Sequence, residues 1–535
     1  MVGLRRHCLT TILATMLLSA PGCMNPAEYV RNGFKVGPNY APPPVDTADH
    51  WIDEADVRVR TDADVPTHWW TVFGDETLNG LVECAASQNL SLREACFRVL
   101  AARAQLAIAK GGLFPQQQRM TGAYARVASP GTIFDTPPFD IPQPPPDPPI
   151  HVPSLRLDFL QRFTENWSLG FNLGWEIDFW GRLRRAIASA ESSLDASIDS
   201  YNDVLVTLLG DVASTYVQIR TIQERIRLVE ANVDLQRGIL SIARRRFEAG
   251  SRNELDVAQA SGNLHQAESQ IPQLQANLRD ACNRMCVLLG VAPMDLEARL
   301  GIGPIPTAPP EVILGIPADL LRRRPDVRRA ERLAAAQAER IGIAEAALYP
   351  AIAINGTLGW QAEQFSELFS DRRFGGSLGP AFQWDILHYG RIRNNVRFQE
   401  ARFQELVANY QNTVLRAGAE VESAIARFLR AHEVAQLMDR SVAAAQRAAE
   451  IVGRQYKEGD VDFNRVALIQ QTLVEQQDRQ ALAHGEIAQG LILVYRAAGG
   501  GWEVPIPERS LDEIPQPEPV AWSRRGVTPN APMPQ

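Results

Sequence analysis

The run WEIDFWGRLRRA, Trp175 to Ala186, changes its period midway. Through Phe179 apolar and polar residues alternate, as in a half-buried strand. After Gly181 apolar residues recur every three or four positions, as in a helix. A looser copy, WDILHYGRIRNN, begins at Trp384. Trp175 and Trp384, Gly181 and Gly390, and Arg182 and Arg391 each stand 209 positions apart. The same offset carries RRFEAG (245–250) onto RQYKEG (454–459), and Gly290 onto Gly499. One offset held over this length marks an internal duplication.

Upstream the offset changes. AIAKGGLFP ends at Pro115 and GIAEAALYP at Pro350, a shift of 235 against 209, so the first copy holds 26 more residues. The proline run TPPFDIPQPPPDPPIHVP (136–153) accounts for them. Such a run forms neither helix nor central strand and predicts an exposed, polyproline-like loop.

Each copy reads helix, strand, strand, long helix, turn, helix. From Leu183 to Val233 apolar residues, among them Ile187, Leu194, Tyr201, Leu208, Tyr216 and Val229, keep a helical step. A helix from Gly181 to Phe247 is roughly 100 Å long, and residues 390–456 repeat it. Helices this long imply a coiled coil. Gly250 and Gly459 suit C′ positions. Ser251 to Glu254 reads as a capping box, and Asp460 as an N-cap. Return helices of about 38 residues follow each turn. Shorter helices precede each strand pair (75–112 and 317–348). They break at NLSLRE, where Ser91 suits an N-cap, and at RRPDVRR, where Pro325 suits a first turn.

In NWSLGFNLGWEIDFW the odd positions from Trp167 to Phe179 are all apolar. PAIAINGTLGW and SLGPAFQWDI alternate as cleanly, whereas residues 117–128 do so poorly. Such strands suit either a soluble sheet or a membrane barrel with aromatic residues at its interfaces. The N-terminus favours the barrel. Arg5 and Arg6 precede the apolar CLTTILATMLLSA, which ends in SAPGC. That layout is a secretory signal, with Cys23 either a lipid-modified first residue or an ordinary cysteine. Four strands cannot close a barrel, because about eight are needed and open edges fail in lipid. Three chains pooling twelve strands would close one. The repeated line then marks where a membrane strand ends and a long helix begins. Trp175 and Trp384 lie in strands, Trp180 and Tyr389 at the interface, and Gly181 and Gly390 at the bend. Arg182, Arg184, Arg185, Arg391 and Arg393 face either lipid headgroups or water.

The composition is globular, with 45% hydrophobic and 22% charged residues. The net charge of −8 argues against nucleic-acid binding. HExxH, Walker A and GxSxG are absent and the eight histidines are scattered, so neither an enzyme nor a cofactor or metal site is expected. Cys282 and Cys286 read as small buried helix residues, and Cys84 and Cys96 are too far apart along a helix to meet. Glu191, Asp195, Asp199 and Asp203 share one helix face without basic i+4 partners, as a solvated outer face or an acidic tunnel lining.

The motifs VGPNYAPPPV, WWTVFGDETLNGLV, ARAQLAIAKGGLFPQ, WEIDFWGRLR, RRRFEAGSRNELDVAQA, IPADLLRRRPDVRRAE and GGGW together resemble the TolC family of outer membrane factors, in its efflux lipoprotein branch. The resemblance implies a mainly α protein with long antiparallel coiled-coil helices and four transmembrane β-strands per protomer. It implies a homotrimer in outer membrane lipid, joined to a periplasmic adaptor and an inner membrane pump, exporting small toxic compounds. The exit duct of a type I protein secretion system is the alternative within the fold, and a non-conducting lipoprotein scaffold the alternative outside it. The tips at Arg245, Arg246, Phe247, Gly250 and Ser251, and at Tyr456, Lys457, Gly459 and Asp460, would meet the adaptor. Equally, their arginines and glycines would serve as helix ends. Family gates often carry carboxylates after the second tip. Here Arg465 and Leu468 stand there, with Asp462 and Asp256 nearby, so opposed Arg465 and Asp256 would replace an acidic ring. The expected organisation is a signal peptide (1–22), a lipid-anchored segment (23–74), two repeats (75–290 and 317–499) joined by a linker (291–316), and a proline-rich tail (500–535).

Overall fold

The computed structural model describes residues 26–45, 47–61, 65–128, 163–250, 253–315, 317 and 322–503. The signal region, Cys23, the 136–153 proline run, Ser251 and the tail beyond 503 lie outside the described residues. The elements in order are α1 (Pro26–Arg31), β1 (Val59–Arg60), α2 (Glu76–Gln88), α3 (Leu90–Gly111), β2 (Gln117–Ala128), β3 (Phe163–Ile177), α4 (Arg182–Glu248), α5 (Glu254–Leu288), α6 (Leu296–Leu300), β4 (Val312–Ile313), α7 (Pro325–Ala346), β5 (Ala351–Ala362), β6 (Phe374–Gln383), α8 (Arg391–Glu458) and α9 (Phe463–Ala497). The fold is therefore mainly helical, and α4 and α8, of 67 and 68 residues, head the two copies of one unit. The chain divides into two compact units. One holds residues up to 47, 93–201 and 325–417, and the other holds 48–92, 202–324 and 418 onward. Each unit draws on both copies.

The first unit contains an antiparallel sheet of order β2-β3-β5-β6. Directly opposed residues share a face, and the register sorts the two faces by polarity. Met120, Phe171 and Leu358 align, as do Trp175 and Ile354, Trp360 and Phe374, and Ile352 and Phe382. On the opposite face Thr121, Gly170 and Gly359 align, and Asn172 Nδ2 donates to Thr121 Oγ1 at 3.2 Å. The apolar face is uncovered: Met120 is 71% and Leu378 72% exposed. Two aromatic groups flank it. Trp167 packs on Tyr124 and Phe365 with centroids 4.4 and 5.0 Å away. Trp175 lies eight residues further along β3, roughly 27 Å in an extended strand. β2 and β6 are the free edges. No described helix is long and apolar enough to cross a membrane.

In the second unit Trp69 is fully buried and stacks on Tyr495 at 5.7 Å. Leu209, Val212, Tyr216 and Ile219 of α4 fill the interior beside it.

Several sequence expectations need correction. Asn89, not Ser91, caps α3: its Oδ1 accepts from Leu92 N at 2.9 Å while its Nδ2 donates to Leu288 O. A serine hydroxyl could not span both contacts. α5 starts at Glu254 with Asn253 at the N-cap, so Glu254 is not the third residue of a Ser251 capping box. Asp462, not Asp460, caps α9, accepting from Arg465 N at 3.0 Å. Asp460 instead closes the preceding helix by donating its N–H to Gln455 O. Trp384 stands one residue beyond β6. Between 182 and 201, Arg185, Ser189 and Asp199 are buried, whereas the predicted apolar stripe of Leu183, Ile187 and Leu194 is half-buried.

Candidate functional site

Two places in the fold collect the residues that the repeated motifs single out. The first is the pair of coiled-coil tips. Gly250 and Gly459 have φ of 68° and 92°, the left-handed conformation that ends a helix without a Cβ clash. Arg246 joins the tips. Its guanidinium lies 4.6 Å from the Tyr456 ring centroid and donates to Lys457 O at 2.9 Å. Tyr456 also packs edge-on against Phe463 at 6.1 Å. At 3% exposure, Tyr456 lies beneath the tip rather than on its outer surface. Arg245, Phe247, Lys457 and Asp460 are exposed there. Arg465 is exposed and Asp256 half-buried, and among the described residues no ion pair joins the two.

The second place is the pair of strand–helix junctions. Trp175 Nε1 donates to Leu113 O at 3.1 Å, and Trp384 Nε1 donates to Leu348 O at 3.0 Å. Each indole thus ties the end of its strand region to the loop before its partner strand, which accounts for the repeated tryptophan. Arg182 pairs with Glu176 at 2.6 Å, and Arg391 pairs with Asp385 at 3.2 Å. These are equivalent positions in the two copies. Gly181 and Gly390 have φ of 79° and 82°, and a Cβ on Gly181 would fall 2.5 Å from Lys35 Cγ.

The first junction carries features that the second lacks. Asp178 accepts from the Leu183 and Arg184 backbone N–H groups at 2.8 and 2.9 Å, a carboxylate cap at the positive end of α4. Trp180 stacks on Tyr349 at 4.5 Å and donates to Pro350 O. Arg184 donates to Gly33 O and Phe34 O. Arg185, fully buried, donates to Val36 O and Gly37 O at 2.6 Å each and pairs with Glu339 at 2.8 Å. A lipid-facing role for Arg185 is therefore corrected, because its side chain is buried: Arg184 and Arg185 clamp an N-terminal arm, residues 26–45, while Arg182 braces the junction through Glu176. Arginines in a first helical turn oppose the helix dipole. That was the one sequence sign that something else held them. In the second copy Asn394 replaces Arg185, and Tyr389 replaces Trp180 with 97% exposure.

The acidic row of α4 is a solvated face at the exposed Glu191 and Asp195, but not at Asp199, which is buried. Glu191 faces Lys110 at 3.3 Å, Asp195 faces Arg332 at 3.9 Å, and the buried Asp199 faces Arg328 at 3.2 Å. Burial pushes the Asp199 carboxyl above its usual range, against the pull of Arg328 and Arg332. The basic partners come from other elements, beyond any i+4 search. Cys84, Cys96, Cys282 and Cys286 are free thiols, and the described residues hold no metal-binding group of acids, histidines and cysteines.

A sheet with one bare apolar face, open edges and long paired helices defines a channel component of the outer membrane. Residues 81–291 and 316–500 match the family described as outer membrane efflux protein, and the chain belongs to that family. It is 30% identical over 478 residues to nodulation protein T of Rhizobium leguminosarum bv. trifolii, covering 88% of this chain and 95% of that one. It is 29% identical over 450 residues to the pyoverdine export outer membrane protein OpmQ of Pseudomonas putida, covering 82% and 89%. Among solved structures it is similar to the outer-membrane channel OprN, with TM-score 0.78 and 29% identity, covering 87% of this chain and 99% of that one. The Campylobacter jejuni CmeC outer membrane channel shares the fold, with TM-score 0.77 at 23% identity, covering 87% and 95%.

Proposed function

We propose that three copies pool their sheets into one twelve-stranded barrel in the outer membrane and form the exit duct of a tripartite efflux system. The observation that carries this is the four-stranded sheet whose edges, β2 and β6, are free while its apolar face is bare. Unpaired backbone is not tolerated in lipid, so the edges must find partners in other copies. The half-buried apolar stripe of α4 would be covered in the same assembly. Cys23, carrying a lipid, would fasten the N-terminal arm to the membrane.

The tips would dock a periplasmic adaptor through Arg245, Phe247, Ser251, Lys457 and Asp460, with an inner membrane pump supplying the energy. The Arg246 contacts to Tyr456 and Lys457 hold the two hairpins of one chain together, and releasing them would let the tips spread. Asp256 and Arg465 would meet between chains at the constriction, while Asp462 serves as a helix cap. Relatives named as toluene, solvent and antibiotic efflux pump outer membrane proteins support small toxic compounds as cargo.

The test is planar-bilayer recording of the purified protein, together with a deletion strain challenged with organic solvents and antibiotics. The expected results are discrete conductance steps and heightened sensitivity that the native gene restores. Absence of conductance would support a non-conducting scaffold. Conductance without any sensitivity would support a duct for other cargo, such as secreted protein.

A further inference from the structure

The arm clamped at the first junction carries part of a half-exposed apolar patch. Phe34, Val30 and Phe179 are 54%, 58% and 47% exposed. They cluster around Tyr29, whose ring lies 5.5 Å from that of Phe34 and 6.1 Å from that of Phe179. The Tyr29 hydroxyl donates to Phe179 O at 2.6 Å, fixing the cluster two residues past the end of β3. Among the described residues, Phe34 and Tyr389 are the non-glycine residues with positive φ, at 59° and 46°. A bulky side chain in that conformation is strained and persists only where its surroundings hold it. Here Arg184 does so, through the carbonyls of Gly33 and Phe34. The fold thus spends backbone strain to keep a phenyl ring outside the core.

We propose that Val30, Phe34 and Phe179 form an interfacial foot that enters the periplasmic phospholipid leaflet of the outer membrane. The inference rests on the reading of the sheet as membrane-embedded. Three observations choose lipid as the occupant. The patch continues directly from the end of a strand whose apolar face is bare. The exposed Arg31 adjoins it, without an ion pair among the described residues, as a partner for lipid phosphate. Cys23 precedes Pro26 by three residues, roughly 10 Å of extended chain, so a lipid on it would hold the foot at the same membrane surface. Aromatic and aliphatic side chains beside a basic residue are the usual makeup of an interfacial contact.

The test places a photo-crosslinking benzoylphenylalanine at Phe34 of the full chain, expressed and irradiated in cells. The same probe at Val57, 90% exposed in the other unit, is the control. The expected result is a phospholipid adduct at position 34, several-fold above that at position 57, in protein recovered from the outer membrane. Adducts only to a second copy or to another protein, or yields equal to the control, would overturn the foot while leaving the channel reading intact. Recovery of the chain in the soluble periplasm would overturn both. Phe34→Gly relieves the strain, so it should preserve the amount of protein in the outer membrane. In that background the lipid adduct of a probe at Val30 should fall several-fold, and an unchanged yield would count against the foot.

Discussion

At the scale of single residues, arginine placement decides much of this structure. Arg185 is a buried cation held by two carbonyls and Glu339, so removing it leaves an unpaired acid and unbonded carbonyls inside. Arg185→Met should destabilise the first unit by about 3 kcal/mol. The arm should then be cut by protease in folded protein, which a digestion time course would show; an arm equally protected in the variant would refute the clamp. Asp199 gives a pH signature. Its folded pKa lies above 3.8 because burial disfavours the charged form. The folded state therefore holds this proton more tightly, and the contribution present at acid pH is lost as pH rises through the folded pKa. Asp199→Asn should raise the melting temperature relative to the native chain increasingly from about pH 4 toward neutrality. A difference that does not vary with pH would contradict the assignment. Neither arrangement was readable from sequence. The partners of Arg185 lie about 150 positions away in either direction, and local spacing carries no trace of them.

At the scale of elements, periodicity served where one face alone sets the pattern. β3 from Trp167, β5 and β6 alternate cleanly because one face of each carries no charged residue there. β2 places Gln118, Gly122 and Arg126 on that same face, so its alternation is lost, and its register with β3 identifies it instead. The helix ends were legible where glycine marks them and misread where Asn89 and Asp462 do the capping and where Asn253 holds the N-cap position, because each short polar residue nearby was an equally good candidate. Two element-level predictions follow from the faces and the tips. Leu378→Arg, on the apolar face of β6, should cost about 2–4 kcal/mol and reduce the protein assembled in the outer membrane, whereas Ser377→Arg on the opposite face should be tolerated. Equal effects, read as heat-resistant oligomer in outer membrane fractions, would mean that the faces are assigned wrongly. Arg246→Ala removes the link between the tips and should raise basal conductance in planar bilayers. Unchanged conductance would remove Arg246 from the closure of the duct.

At the scale of the whole molecule, duplication explains both what repeats and what does not. Both copies keep the tryptophan tie, the glycine bend and the acid–arginine pair. The first copy has Asp178, Trp180 and Arg185 where the second has Leu387, Tyr389 and Asn394, and it turns Arg184, which the second copy matches with Arg393, onto the arm. The central claim is that a single chain cannot seal its sheet edges in lipid and that three together can. Native mass spectrometry of the detergent-extracted full chain tests it most directly. The account predicts a stable species of three copies that persists as detergent is stripped in the gas phase. A protein that ionises as a single copy under the same conditions, with its channel activity intact, would contradict it.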